Sequence, residues 1–111
     1  MRKGSDLSIH EDEARSTITS TTGGVMTKDV GAITGDLEIT TRPSDTGIIE
    51  VTVRYAEASE WYVVEGSPFQ AADTGGLSLP ELHKRMMEHL TTPGPVVEGN
   101  EQPVSLLSFS P

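Results

Sequence analysis

Ile48-Ile49-Glu50-Val51-Thr52-Val53-Arg54-Tyr55 is the stretch on which the fold turns. Ile49, Val51, Val53 and Tyr55 fall on one side of it, and Glu50, Thr52 and Arg54 on the other. A period of two marks a strand with one face buried and one in water. Upstream, Asp36-Leu37-Glu38-Ile39-Thr40-Thr41-Arg42 repeats the alternation. Between them, Pro43-Ser44-Asp45-Thr46-Gly47 has turn chemistry: proline fixes φ, aspartate bonds its own backbone, and glycine accepts positive φ. Downstream, Glu57-Ala58-Ser59 makes a short turn into a third strand, Glu60-Trp61-Tyr62-Val63-Val64-Glu65, which Gly66-Ser67-Pro68 stops. Connections this short imply antiparallel hairpins and a three-stranded meander.

A helix follows. Ser78 and Glu81 have capping-box spacing, and Leu77 and Leu82 occupy the two staple positions around them. Glu81 and Arg85 form an i,i+4 pair in the favourable order. Leu79, Leu82, Met86 and Leu90 share one stripe with Met87 at its border, as a sheet-packing helix requires. Thr91-Thr92-Pro93-Gly94-Pro95 ends it. Beyond, Pro95–Glu98 and Val104–Phe109 are extended in character, and one or both can return to the sheet. The expected fold is a two-layer α+β domain. It is an antiparallel meander of three to four strands with one helix on one face, in the order β-β-β-α-β.

Residues 1–29 read as a disordered tail, which places the single domain at 30–111. The tail holds Glu11-Asp12-Glu13 and a Ser/Thr/Gly run from Ser16 to Gly24. Its isolated apolar residues Leu7, Ile9, Ile18 and Val25 build no face. Such a segment buries too little apolar surface to offset its ordering entropy. The competing reading is an edge strand at Ser16–Thr21, since Thr and Ile favour strands.

The chain has 111 residues, 34% of them hydrophobic, and a net charge of −9. Only eight Lys and Arg are present, so composition argues against direct nucleic-acid binding, which needs a basic patch, and against an anionic membrane surface. There is no cysteine, hence no disulfide, thiol nucleophile or Cys-based metal site. Met1-Arg2-Lys3 is followed by Gly4-Ser5-Asp6 rather than an apolar core, so no signal peptide is read and a cytoplasmic protein is expected.

No catalytic, cofactor or metal residues are assigned. His83 and His89 are six apart on the helix and diverge by roughly 120°, so they do not form a one-helix zinc pair. His10 falls in the tail. His89 suits the negative end of the helix, and His83 the boundary of the packed face. Glu50 facing Glu60 or Glu65 reads as solvated sheet. Ser67 lacks a nucleophile's flanking pattern. Asp73-Thr74-Gly75-Gly76 is an approach to the cap, not a phosphate loop.

Trp61 and Tyr62 are adjacent on a strand and face opposite sides, so one belongs to the core. The residues assigned to a candidate interaction surface are Arg42, Arg54, Trp61 and Tyr62. The functional expectation is a small non-catalytic protein–protein interaction or regulatory module. It would bind a protein partner or a second copy through an open sheet edge or through the sheet face opposite the helix. Two alternatives stand beside it. One is a small-ligand protein or enzyme with a pocket between helix and sheet, near Trp61, His83 and the Phe69–Gly76 loop. The other is an acidic regulator that occupies a basic nucleic-acid-binding surface.

Overall fold

The computed structural model describes residues 8–10 and 13–111. Its strands are β1 (Ser8–His10), β2 (Glu13–Thr19), β3 (Val25–Thr27), β4 (Gly31–Ile33), β5 (Asp36–Pro43), β6 (Ile48–Tyr55), β7 (Tyr62–Val63), β8 (Phe69–Gln70), β9 (Val96–Val97) and β10 (Asn100–Glu101). The helix α1 (Leu79–Leu90) lies between β8 and β9. The main sheet runs β1-β2-β5-β6-β7, with β8 also on β6, and its pairs are antiparallel. One helix packs on it, so the architecture is the α+β arrangement the alternation predicts.

The meander β5-β6-β7 is as expected. Leu37, Ile39, Ile49, Val51 and Val53 turn to the helix side and are buried with Leu82, Met86, Met87 and Leu90 of α1. Tyr55, at the end of β6, is exposed instead. Ser78 caps the helix by accepting from the Glu81 N–H at 3.3 Å. Only half of the capping box forms, because the Glu81 carboxylate takes the Arg85 Nε–H at 3.0 Å.

The expected tail needs correction over residues 13–29. Those at 1–7 and 11–12 lie outside the described residues. Glu13–Thr19 is a full strand, and it sits inside the sheet between β1 and β5. Ala14, Ser16 and Ile18 face the helix, with Ala14 fully buried and Ile18 packed on the core. Threonines and charged residues alternate onto the other face, which water and ion pairs satisfy. The strand therefore needs only a thin apolar side, and the Ser/Thr run conceals it. Val25, also in the expected tail, is wholly buried in β3.

The β3–β4 hairpin joins the same core through Val25 and Ile33. It also covers the far edge of the sheet. The Lys28 N–H donates to the Val63 carbonyl at 2.9 Å, and the Val63 N–H donates to Asp29 Oδ2 at 2.9 Å. The outer groups of β7 are thereby used. After the helix, β9 and β10 pair with each other in a hairpin of their own. Val104 bridges to Val25, and Leu106–Ser108 forms a 3-10 turn.

Candidate binding groove and the charged sheet face

Three side chains from three elements meet under α1. His83 is 6% exposed, and its ring lies between two hydroxyls. Nε2 is 2.7 Å from Ser16 Oγ on β2, and Nδ1 is 2.8 Å from Thr41 Oγ1 on β5. A buried imidazole needs both nitrogens partnered. The two hydroxyls do this in either tautomer, since each can donate or accept. Burial pushes the His83 pKa down to about 4, so the ring is neutral near pH 7. Sequence reasoning placed His83 at the boundary of the packed face. It is inside because Ser16 and Thr41 supply polar partners there.

Above this cluster a groove of about 560 Å³ opens between α1 and β2. Ile18, Pro80 and Met87 form its apolar surface, with Ser16 and His83 as polar groups. Arg15, Glu81, Lys84 and Glu88 also line it. A concave apolar surface with a few convergent polar groups is the general form of a binding site. Of the three landmarks expected around a pocket between helix and sheet, His83 lines this groove, while Trp61 and the Phe69–Gly76 loop do not. The cavity touching Phe69, Asp73 and Thr74 is much smaller, about 130 Å³. Among the described residues, no group of three or more His, Asp or Glu is placed to hold a metal.

The sheet face opposite the helix carries a compact ion network. Glu38 accepts from Arg54 Nε at 2.7 Å and from Arg15 Nη1 at 2.9 Å. Glu13 accepts from Arg15 Nη2 at 2.9 Å and from Arg42 Nη2 at 3.3 Å. Burial alone would raise both carboxyls, but the hydrogen bonds and charges of their arginines together outweigh it and hold them below the ordinary carboxylate value. Arg54 stacks on Trp61 with its guanidinium carbon 4.6 Å from the ring centroid, and Arg15 approaches the same ring at 5.6 Å. At the centre, Thr40 and Thr52 face each other across β5 and β6 with hydroxyls 2.6 Å apart.

Of the four assigned residues, Arg42, Arg54 and Trp61 therefore gather on this face. Tyr62 does not. It is paired with Val53 and packs against the core on the helix side. Glu13, Glu38, Arg15, Arg42 and Arg54 on this face are already partnered with one another, which leaves little to recruit a second molecule. Of the groove's lining, the sequence points only to His83, as a landmark of the alternative pocket. The lining residues come from segments 15–18 and 78–91, and no local pattern joins those.

Comparison of the chain with protein families, with curated proteins and with solved structures finds no match. Among the described residues, no helix is long and apolar enough to cross a membrane.

Proposed function

We propose that this chain is a small non-catalytic protein–protein interaction module that works through the groove between α1 and β2. The observation that carries this reading is the groove itself: Pro80 is exposed and Ile18 half-buried in a concavity with the core residue Met87 at its base and Arg15, Glu81, Lys84 and Glu88 at its rim. An apolar centre with a charged rim is the anatomy of a protein interface. The open sheet face supports it less, because Glu13, Glu38, Arg15 and Arg54 satisfy one another there.

Ser16 and His83 at the same groove also favour a second reading, a small-ligand site in which Ser16 bonds the ligand's polar end. The test compares two double variants on an affinity matrix. Ile18→Glu with Lys84→Glu alters the groove, and Arg42→Glu with Trp61→Ala alters the opposite face. Proteins captured by the unaltered chain should be lost with the first pair and kept with the second. The reverse pattern moves the function to the open face. If no protein depends on either pair, the interaction reading is wrong, and the groove is to be examined for small ligands.

A further inference from the structure

Where the hydrogens of the His83 cluster sit decides what the groove offers a ligand. Distances alone allow both tautomers of the ring, but the buried hydroxyl allows only one. Thr41 is fully buried, and His83 Nδ1 is the sole partner of its Oγ1 among the described residues. Ala14 and Val51, its neighbours across the two ladders, bring no side-chain acceptor. A hydroxyl carries one hydrogen, and leaving a buried donor unmade is costly. Thr41 therefore donates to Nδ1. The neutral ring keeps its own hydrogen on Nε2, which donates to Ser16 Oγ at 2.7 Å.

With its hydrogen in place, Nε2 does not take the Ser16 proton, so the two are not a nucleophile and its base. The Ser16 hydroxyl hydrogen has no acceptor among the described residues, and Ser16 lines the groove half-buried. The groove thus holds one unused donor beside an apolar surface. Ser78 and Thr91, at opposite ends of α1, both line it, which makes it roughly 20 Å long by the helical rise. About six extended residues span that length. Of its charges, Arg15 is held by Glu13 and Glu38, and Glu81 by Arg85. Lys84 and Glu88 have no ion-pair partner among the described residues, and these two opposite charges stand one helical turn apart. The chain as a whole carries −9, which repels an anion.

We propose that the groove binds an extended, uncharged, apolar peptide segment of a partner protein, with one main-chain carbonyl of that segment accepting from Ser16. The proposal rests on the groove being a protein-binding surface and states what enters it. The segment's apolar side chains lie on Ile18, Pro80 and Met87. A carboxylate would also accept from Ser16, but Glu81, Glu88 and the net charge oppose it. A small ketone or ester would satisfy Ser16 and leave most of the length of the groove unfilled.

The experiment is NMR on the full chain. Imidazole nitrogen spectra of the free protein should place the His83 hydrogen on Nε2, and a hydrogen on Nδ1 overturns the proposal. The probe is then the capped hexapeptide acetyl-Ser-Ala-Leu-Val-Ala-Ser-amide, which should shift the signals of Ser16, Ile18 and Met87. Ser16→Ala should weaken its binding about two- to tenfold. Ser16→Thr keeps a hydroxyl and should restore it. Asp in place of the peptide's Leu should weaken binding about tenfold or more. Undiminished binding to Ser16→Ala, or an Asp peptide that binds as well, overturns the proposal. Should Ser16→Ala unfold, the ring tautomer and the Asp peptide still decide. A second probe, 2-octanone, supplies a carbonyl without a peptide. If it binds at the groove and the peptide does not, the ligand is a small molecule, and the interaction reading falls as well. If neither binds while the groove variants still lose captured proteins, the peptide contact alone is overturned.

Discussion

His83 Nε2 lies 2.7 Å from Ser16 Oγ, which ties the helix to a strand 67 residues earlier in the chain. This contact fixes the floor of the groove, and it makes the fold sensitive to protons.

The first prediction concerns pH. Folded His83 titrates at about 4, against roughly 6.5 in the unfolded chain. The folded value is the lower one, so protons favour the unfolded state. This contribution to stability is complete above pH ~6.5, declines as pH falls through the interval, and declines no further below pH ~4. The loss at the acid end is roughly 3 kcal/mol. Urea melts between about pH 7 and pH 5 avoid the range where Glu13 and Glu38, both depressed, begin to lose their own contributions. His83→Gln should flatten the dependence. An unchanged slope in that variant would remove His83 from the account.

The two hydroxyls should not be equivalent. Thr41 is fully buried, and Thr41→Val keeps its shape while leaving Nδ1 unpartnered, at a cost of about 1–3 kcal/mol. Ser16 borders the groove, where water can replace its hydroxyl, so Ser16→Ala should cost about 0.5–1.5 kcal/mol. Denaturant melts of the single and double variants give the coupling. Equal losses would mean that water reaches both nitrogens.

The helix is held by its cap and by one leucine. Ser78→Ala removes the bond to the Glu81 N–H and should cost ~1 kcal/mol. Leu82 is buried against the sheet, and Leu82→Ala should cost roughly 2–5 kcal/mol. Chemical denaturation checks both, and a negligible loss at Leu82 would mean that another helix face meets the sheet.

Trp61 is the sole tryptophan, so its emission reports on the open face alone. Arg54→Ala uncovers the ring and leaves Glu38 with only Arg15. Emission should shift to the red while stability falls by about 1 kcal/mol. A large loss of stability would show that the network holds the sheet together, and unchanged emission would show that Arg54 does not cover the ring.

Strand β2 gives the sharpest contrast with the reading of residues 13–29 as tail. Ala14→Asp places an unpaired charge at a wholly buried position and should destabilise by at least about 3 kcal/mol. The amides of Ala14, Ser16 and Ile18 should resist exchange as strongly as those of β6. Rapid exchange there would restore the tail.

Much of the fold is legible because the meander announces itself locally. The register of β5 and β6 even follows from the turn, which sets Glu38 opposite Arg54 and Arg42 opposite Glu50. The first of these pairs closes as an ion pair, while Arg42 turns to Glu13 on β2, a partner the meander alone does not contain. Strand β2 was harder. Its inward positions are Ala14, Ser16 and Ile18, and only Ile18 is large and apolar. Ser16 belongs inside because His83 awaits it, a relationship that no window along the chain contains. Trp61 and Tyr62 had to face opposite ways, yet nothing local says which way. The stacking arginines decide it, and they come from β2 and β6.

The hydrogen bond that Val63 accepts from Lys28 and the one it donates to Asp29 bear on how the sheet can grow. A sheet open at both ends can recruit copies without limit and grow into a fibre. Here the β3–β4 hairpin shuts the β7 end, so a strand from another molecule cannot be added to Val63.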